Sequence, residues 1–430
     1  MKNNYKTSLT IIAAFFFAAI GFSQDYSNGI FILNEGLIGT ETSSVSSLDE
    51  NGILENNIFA THNGGMALGD TAQGMGLMED LAYVVLNNSN EVKVINRTTF
   101  EYVASITDQI ASPRYIAFYE EQAFVTNWGD PGNTLDDYVA IIDLATNTVI
   151  GTIPVAEGPE EIVQKDGVLF VAHQGGYGFG NTISVIDIAT QAVSSLTVGD
   201  IPSSIKVDAD YLYVLCSGNP NYSGNETSGK LLKIDLDDYS TVAEYTFPGL
   251  EHPSFLGLDE VAMYYVLDAD IYKMSLTATN LPTSPFINTT SNNISIPYGF
   301  DKIEDKLYIS DAIDFVSDGK VYVYNEDGTF STDYTVGPLP NGFYKLKDET
   351  AAISDFATTS ISLYPNPTSD NFRLNITEKA SIKMFDVSGR MIKNTEYDNE
   401  SISVAGLTAG VYLVQIEIEG KTTTQKLIVQ

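Results

Sequence analysis

Eight side chains drawn from separate stretches of the chain are the candidates for recognition chemistry: Asn34, Glu35, Asn87, Arg114, Trp128, His173, Tyr177 and Tyr298. The amides donate and accept, the carboxylate accepts, and the guanidinium donates through a planar fork. The aromatic rings offer an apolar face with a hydrogen-bonding edge. An aromatic on a polar loop is a platform for a flat or sugar-like molecule. Trp128, the only tryptophan, lies in the polar loop TNWGDPGNTLDD (126–137), either as a ligand platform or as a wedge between neighbouring sheets. Arg114 stands out because only 13 Lys and Arg occur between residues 24 and 360.

The residue types for bond-breaking chemistry do not assemble in the sequence. There is no G-x-S-x-G elbow and no H-E-x-x-H helix. The 3 histidines, His62, His173 and His252, fall in different segments, and Cys216 is the single cysteine, which excludes an intrachain disulfide. HQGGYGFGN (173–181) has G-x-G spacing but lies between two strands without the helix a dinucleotide fingerprint needs, so it reads as an adaptable loop carrying Tyr177 and Phe179. Asp311, Asp314 and Asp318 are irregularly spaced and lack a D-x-D-x-D-G loop, so they read as turn residues before cation ligands.

The elements that must bring the eight together are repeats. GPEEIVQKDGVLFVAHQGGYGFGNTISVIDIATQAVSSLTVG (158–199) contains four short runs rich in β-branched and aromatic residues, separated by turn residues, which spells a four-stranded antiparallel meander. An X-Pro corner opens each copy, at Pro113, Pro159, Pro202, Pro253, Pro297 and Pro340, with gaps of 46, 43, 51, 44 and 43 residues. An equivalent start without proline falls near Ala72. Six copies are complete. The Pro340 copy stops after NGFYKL, while GIFILNEG and SSVSSLDENG near the N-terminus supply its missing second and third strands. Such sheets become stable when they pack radially and each covers its neighbour's apolar face, so the expected fold is an all-β, seven-bladed β-propeller closed by N- and C-terminal strands.

In an up-and-down blade the loops joining strands 2 and 3 emerge on the same face as the links between blades. That face is expected to gather Asn34, Asn87, Trp128, His173, Cys216, Asp268 and Asp311 around the mouth of the channel.

Residues 1–23 carry Lys2 and Lys6, the apolar run LTIIAAFFFAAI and small residues before Gln24, the pattern of a secretory signal peptide. No cysteine follows that run, so lipoprotein acylation is closed, and no other stretch is long and apolar enough to span a bilayer. The net charge of −34 lies almost wholly before residue 361, since residues 361–430 hold 7 basic and 8 acidic residues. A body this acidic repels phosphate backbones, which disfavours nucleic acid as a partner. The expected organisation is a signal peptide at 1–23, the propeller at 24–346, a linker at 347–360 and a small Ig-like β-sandwich at 361–430.

Two resemblances follow. Tyr364-Pro365-Asn366-Pro367, Phe385-Asp386-Val387-Ser388-Gly389-Arg390, Leu407 to Tyr412 with Gly410, and the closing Lys426-Leu427-Ile428-Val429 resemble the type A C-terminal sorting domain of the type IX secretion system of Bacteroidetes. That resemblance implies export across the outer membrane by the type IX machinery, removal of the tail, and a cell-surface or extracellular destination. FVTNWGD, ISVIDIATQAV, GTIPVAEGPEEIV and LTVGDIPSSIKVD resemble YncE-type propellers. GIFILNEG, LPTSPFI, DAIDFVSDGKVYVYN and NGFYKL are similar to Bacteroidetes surface propellers, some of which capture cobalamin and pass it to an outer-membrane transporter. The resemblance implies a non-enzymatic surface protein that binds a small or medium ligand, a corrinoid or a glycan. The alternatives are a lactonase- or lyase-like propeller enzyme with a channel cation, and an adhesion or scaffold protein. The sequence names no cofactor.

Overall fold

The structure is a computed structural model that describes residues 26–130, 132–345, 363–376, 379–386, 390–418 and 421–430. The expected signal peptide, the expected linker and Gly389 of the sorting motif lie outside the described residues. The chain divides into two compact units, Met1–Leu346 and Lys347–Gln430.

The first unit is seven antiparallel sheets. In a representative copy, Pro159–Lys165, Val168–His173, Thr182–Asp187 and Ala192–Thr197 pair in order from inner to outer strand. The second strand is buried almost end to end, which is why it reads as the uninterrupted apolar run VLFVA. The outermost, AVSSLT, is mostly exposed and correspondingly polar.

Seven apolar clusters hold the ring together, and each straddles two consecutive sheets. Tyr83 and Val94 of the first blade pack with Val125 and Ile142 of the second, Phe124 and Ile141 of the second with Leu169 and Val171 of the third. The series continues through the fourth, fifth and sixth blades and returns to the first, where Phe31 and Leu33 of the seventh meet Val84 and Leu86. Burial of these side chains at about 25 cal/mol per Å² is available only between blades, so no sheet is stable alone.

Closure is covalently discontinuous. Pro340–Tyr344 forms the inner strand of the seventh sheet and pairs with Ile30–Asn34 in the register Phe31↔Tyr344, Ile32↔Phe343 and Leu33↔Gly342. Ser44–Leu48 and the short Leu54–Glu55 complete that blade.

The fifth copy corrects the expectation of six complete blades. It has only Ser254–Leu258, Ala262–Leu267 and Asp270–Ser275. Pro282 and Pro285 interrupt the segment that would supply a fourth strand, since neither can donate to a ladder. One isolated bridge, Ile271↔Ile287, brings Ile287 into the core instead.

The second unit consists of a three-stranded sheet, Leu363–Tyr364, Asn371–Leu374 and Ile402–Ser403, and a four-stranded one, Ala380–Asp386, Met391–Tyr397, Gly410–Ile418 and Lys421–Val429. Their core contains Phe372, Ile382, Met384, Tyr397, Val414 and Leu427, the packing of an Ig-like sandwich. The sorting motifs are its fasteners. Asn366, between Pro365 and Pro367, donates through Nδ2 to the Lys426 carbonyl (2.6 Å) and accepts from the Ile428 amide (2.9 Å), imitating a strand against the closing segment. Arg390 Nε donates to Asp386 at 3.0 Å, and Tyr412, two residues after Gly410, donates its hydroxyl proton to the Thr408 carbonyl at 2.9 Å. Asn366→Ala is therefore expected to destabilise this unit by about 1–2 kcal/mol and to lower the amount of exported protein, measured by thermal unfolding and by assay of culture medium and cell surface.

Candidate functional site

Every inner strand carries a β-bulge near its start, beside the X-Pro corner in six of the seven. The register slips between Ala72 and Gly74, Pro113 and Ile116, Pro159 and Ile162, Pro202 and Ser204, Ser254 and Leu256, and Pro297 and Gly299, and next to Pro340 in the seventh. A bulge places two successive residues opposite one partner and re-aims a side chain. The residues so placed include Gln73, Arg114, Glu160, Ser203, Tyr298 and Asn341, a polar set at equivalent positions of six strands, while in the fifth sheet the bulge falls at Phe255. The strands approach closely here. A Cβ on Gly74 would lie 2.9 Å from the Arg114 carbonyl oxygen, and one on Gly299 would lie 2.8 Å from that of Asn341.

Arg114 is held from behind. Its Nε donates to both carboxylate oxygens of Glu160, at 2.9 and 3.0 Å, and its guanidinium carbon stands 4.5 Å from the centre of the Trp128 ring. Glu160 is buried, and desolvation raises its pKa while the Arg114 charge opposes the rise. Trp128 is itself fixed, its indole N–H donating to the Pro159 carbonyl at 3.1 Å and its ring meeting Tyr177 edge-on at 5.7 Å. Trp128 thus contacts the third blade as well as its own, as the wedge reading expects, and its face backs the Arg114 cation. Among the described residues, the two terminal nitrogens of Arg114 donate to no acceptor, so a rigidly held fork is left for other company.

Across the mouth stands Glu35. Its backbone N–H donates to Leu339 at 2.8 Å and its carbonyl accepts from Ala72 at 3.1 Å, so it is clamped at the closure seam. The Tyr298 hydroxyl donates to Glu35 Oε2 at 2.7 Å. Burial raises the Glu35 pKa, countered by Tyr298, by the Arg114 charge and by Asn341. Tyr298 meets Phe315 edge-on at 6.0 Å. Beyond this pair the loops present exposed aromatics, with Tyr177 80% and Tyr222 86% exposed and Phe179 and Phe315 about half so.

Glu35, Arg114, Trp128, Tyr177 and Tyr298 therefore share one connected neighbourhood. Asn87 adjoins it as a brace, its amide donating to the Pro113 carbonyl at 3.1 Å. Asn34 and His173 are buried within their blades. Asn34 Nδ2 donates to the hydroxyls of Ser44 and Ser46 at 3.1 and 3.0 Å, and His173 Nε2 bonds Ser184 at 2.8 Å. Burial pulls the His173 pKa down to about 4, so its ring is neutral. Asp311 is also inward and spends its carboxylate on the backbone amides of Ser295, Ile296 and Ile313, while Asp314 caps Val316 and Ser317. Asp268 is exposed and Cys216 is buried. The other two histidines bond locally, His62 to Tyr26 and His252 to the Ser217 carbonyl, so the three do not converge.

Sequence reasoning missed Glu160 and the layer beneath it, where Glu161, Lys206 and Asp301 interact electrostatically. Glu161 accepts from the Ile205 amide at 2.7 Å and from Ser204 Oγ at 3.1 Å. Part of a signal was available, because Glu160 follows Pro159 directly as Arg114 follows Pro113, and Lys206 and Asp301 each stand four residues after an X-Pro corner. A cleft of about 450 Å³ between Lys165, Phe170, Tyr211 and Tyr239 opens among the turns of the third and fourth blades, away from the ring. It gathers surface turn residues, whereas the ring gathers charges that fold-wide convergence holds in place.

Asp137, beside the Trp128 loop, is buried with Oδ2 lacking a partner among the described residues. Burial, with Asp136 and Glu157 adding to it, pushes its pKa up to about 6. A raised carboxyl pKa opposes folding above about 6 and ceases to do so as pH falls toward the ordinary aspartate value of roughly 3.9. Asp137→Asn is expected to stabilise the first unit at pH 8 by on the order of 2 kcal/mol and to leave it nearly unchanged at pH 4, read by urea denaturation at both pH values.

Comparison with known proteins gives two family matches. The family described as "Secretion system C-terminal sorting domain" matches residues 362–430, and the one described as "Domain of unknown function (DUF5074)" matches residues 28–344. No curated protein matches the sequence. Among solved structures, the chain is similar to the Cps50 (Swd1) β-propeller domain of Myceliophteria thermophila, with TM-score 0.47, 12% identity, and coverage of 62% of this chain and 87% of that one. It is also similar to BamB from Moraxella catarrhalis, with TM-score 0.43, 15% identity, and coverage of 71% and 87%. AztD from Citrobacter koseri gives TM-score 0.45, 10% identity, and coverage of 73% and 96%. The sorting domain marks a chain handled by the type IX secretion machinery and sent to the cell surface or the extracellular space. No helix among the described residues is long and apolar enough to cross a membrane.

Proposed function

The chain belongs to the DUF5074 family, and from that premise we propose that it is an exported, non-enzymatic capture protein that binds a small or medium ligand at the loop-face mouth of its propeller. The observation that carries this reading is the preorganised Arg114, fixed by Glu160 and Trp128 with its fork unspent, facing the Glu35–Tyr298 pair. Donors and acceptors fixed before a ligand arrives lower the entropy lost on binding. The exposed rings of Tyr177, Phe179, Tyr222 and Phe315 frame the mouth with apolar surface.

In this reading residues 24–346 do the binding, 347–360 link, and 361–430 address the protein for export. Asn34, Asn87 and His173 support the mouth from within the blades. The resemblance to YncE-type and Bacteroidetes surface propellers makes a corrinoid the first ligand to test, with an outer-membrane transporter as the partner that would receive it. The exposed aromatic rim favours a second reading, recognition of a glycan or protein surface.

Calorimetric titration of the mature chain with cobalamin and cobinamide tests the first reading. Binding at micromolar or tighter concentration is expected, weakened about tenfold or more by Arg114→Lys, which keeps the charge opposite Glu160 and removes the fork. Absence of heat at high micromolar ligand rejects the corrinoid. Affinity untouched by Arg114→Lys moves the site away from the mouth.

A further inference from the structure

We propose that the mouth selects a neutral group that both accepts and donates, a primary carboxamide, with Arg114 receiving its oxygen and Glu35 its N–H. This rests on the capture reading and specifies the chemistry the site would take.

Arg114 and Glu35 have complementary deficits. Arg114 can only donate, and its Nε is already committed to Glu160, leaving the terminal nitrogens. Glu35 as a carboxylate can only accept, and its two oxygens have room for more than the bond from Tyr298 and the contact from Asn341. The two residues influence each other electrostatically, yet among the described residues they form no direct ion pair; Arg114 stands at the bulge of its inner strand and Glu35 is bonded by Tyr298 at the bulge of another.

Charge decides what would bind both residues at once. A ligand carboxylate would satisfy Arg114 but meet Glu35 and Glu160, two negative groups against one positive. An ammonium would satisfy Glu35 and be drawn by Glu160, but it would meet the Arg114 charge and leave the Arg114 donors without an acceptor. A carboxamide pays neither repulsion, costs less to desolvate than either ion, and leaves no partner unmatched. The partners also enforce direction, because the carbonyl must turn toward the second blade and the NH₂ toward the seventh. A pair of hydroxyls, each both donor and acceptor, would be read without that polarity.

The test uses small probes, so it does not depend on the corrinoid. The full chain, labelled with ¹³C at glutamate carboxyls and ¹⁵N at arginine guanidinium groups, is titrated with acetamide, acetate, methylammonium and ethylene glycol, and Glu35→Gln assigns the Glu35 signal. Saturable shifts of both the Glu35 carboxyl and the Arg114 terminal nitrogens are expected with acetamide, at an apparent affinity about tenfold above that for acetate or methylammonium. Loss of the Arg114 response in Arg114→Lys and attenuation in Glu35→Gln are expected alongside. Equal or stronger response to acetate, methylammonium or ethylene glycol overturns the proposal, as does no response to any probe. Corrinoid binding without acetamide selectivity would sink this inference and spare the capture reading; acetamide selectivity without corrinoid binding would support this inference and reject only the corrinoid as the ligand.

Discussion

Ile32→Asp is expected to unfold the propeller while leaving the C-terminal sandwich intact. Ile32 is fully buried in the closure strand, pairs with Phe343 across the seam, and packs with Tyr308, Val321 and Val323 of the sixth blade. A carboxylate there loses the transfer free energy of the side chain and cannot be hydrated, a cost of about 4 kcal/mol or more. Because each blade depends on its neighbours for burial, a broken seam exposes both flanking interfaces. Two-stage thermal unfolding should lose or lower its propeller transition by about 10 °C, with the sandwich transition unmoved. Val193→Asp, on the exposed outer strand of the third blade, is the control and should shift stability by about 0.5 kcal/mol or less. Equal effects from the two would mean that ring closure contributes little to stability.

The second large effect concerns the pair at the mouth. Arg114→Met leaves Glu160 buried without its cation and is expected to cost about 3–5 kcal/mol at neutral pH. Glu160→Gln strands Arg114 less severely, because the guanidinium retains some exposure and the Trp128 face. The double variant should recover part of the loss, with a coupling of about 2 kcal/mol in a double-mutant cycle. The pH dependence carries a sign. Burial raises the Glu160 pKa, and removing Arg114 removes what opposes that rise. The Arg114→Met penalty should therefore be full at high pH and shrink as acidification protonates the carboxyl. Urea unfolding at pH 5 and pH 8 checks it. A strictly additive cycle, or a penalty that grows toward acid, would show that the pair does not act as a unit.

The two effects differ in how they were encoded. The closure seam is legible in the chain, since an unfinished copy at one end and the missing strands at the other form a pattern of type and order. The Arg114–Glu160 bond is not, because the partners lie 46 residues apart on different blades. Their meeting depends on the bulges that turn both side chains toward the axis, and a bulge is a matter of register. Only the proline beside it leaves a mark.

The same distinction sorts the other candidates. Asn34, His173 and Asp311 end their second strands as polar residues, which in sequence resembles exposure at a loop. In the folded ring the next blade and the inter-blade link cover that position, so these side chains must bond internally or bear an unpaired buried polar group. Tyr177 and Tyr222, farther out on longer loops, escape that cover. The short fifth blade was legible in Pro282 and Pro285, yet strand count alone hid it.

By itself the amino-acid order determined the number of blades, the seam between the chain ends and the address carried by the tail, because period-two burial, X-Pro corners and the tail motifs act over a few neighbouring residues. Tertiary structure alone decided which polar side chains are spent and which are left available. That outcome turns on distances between strands far apart in the chain, set when seven apolar interfaces pull the inner strands together around one axis.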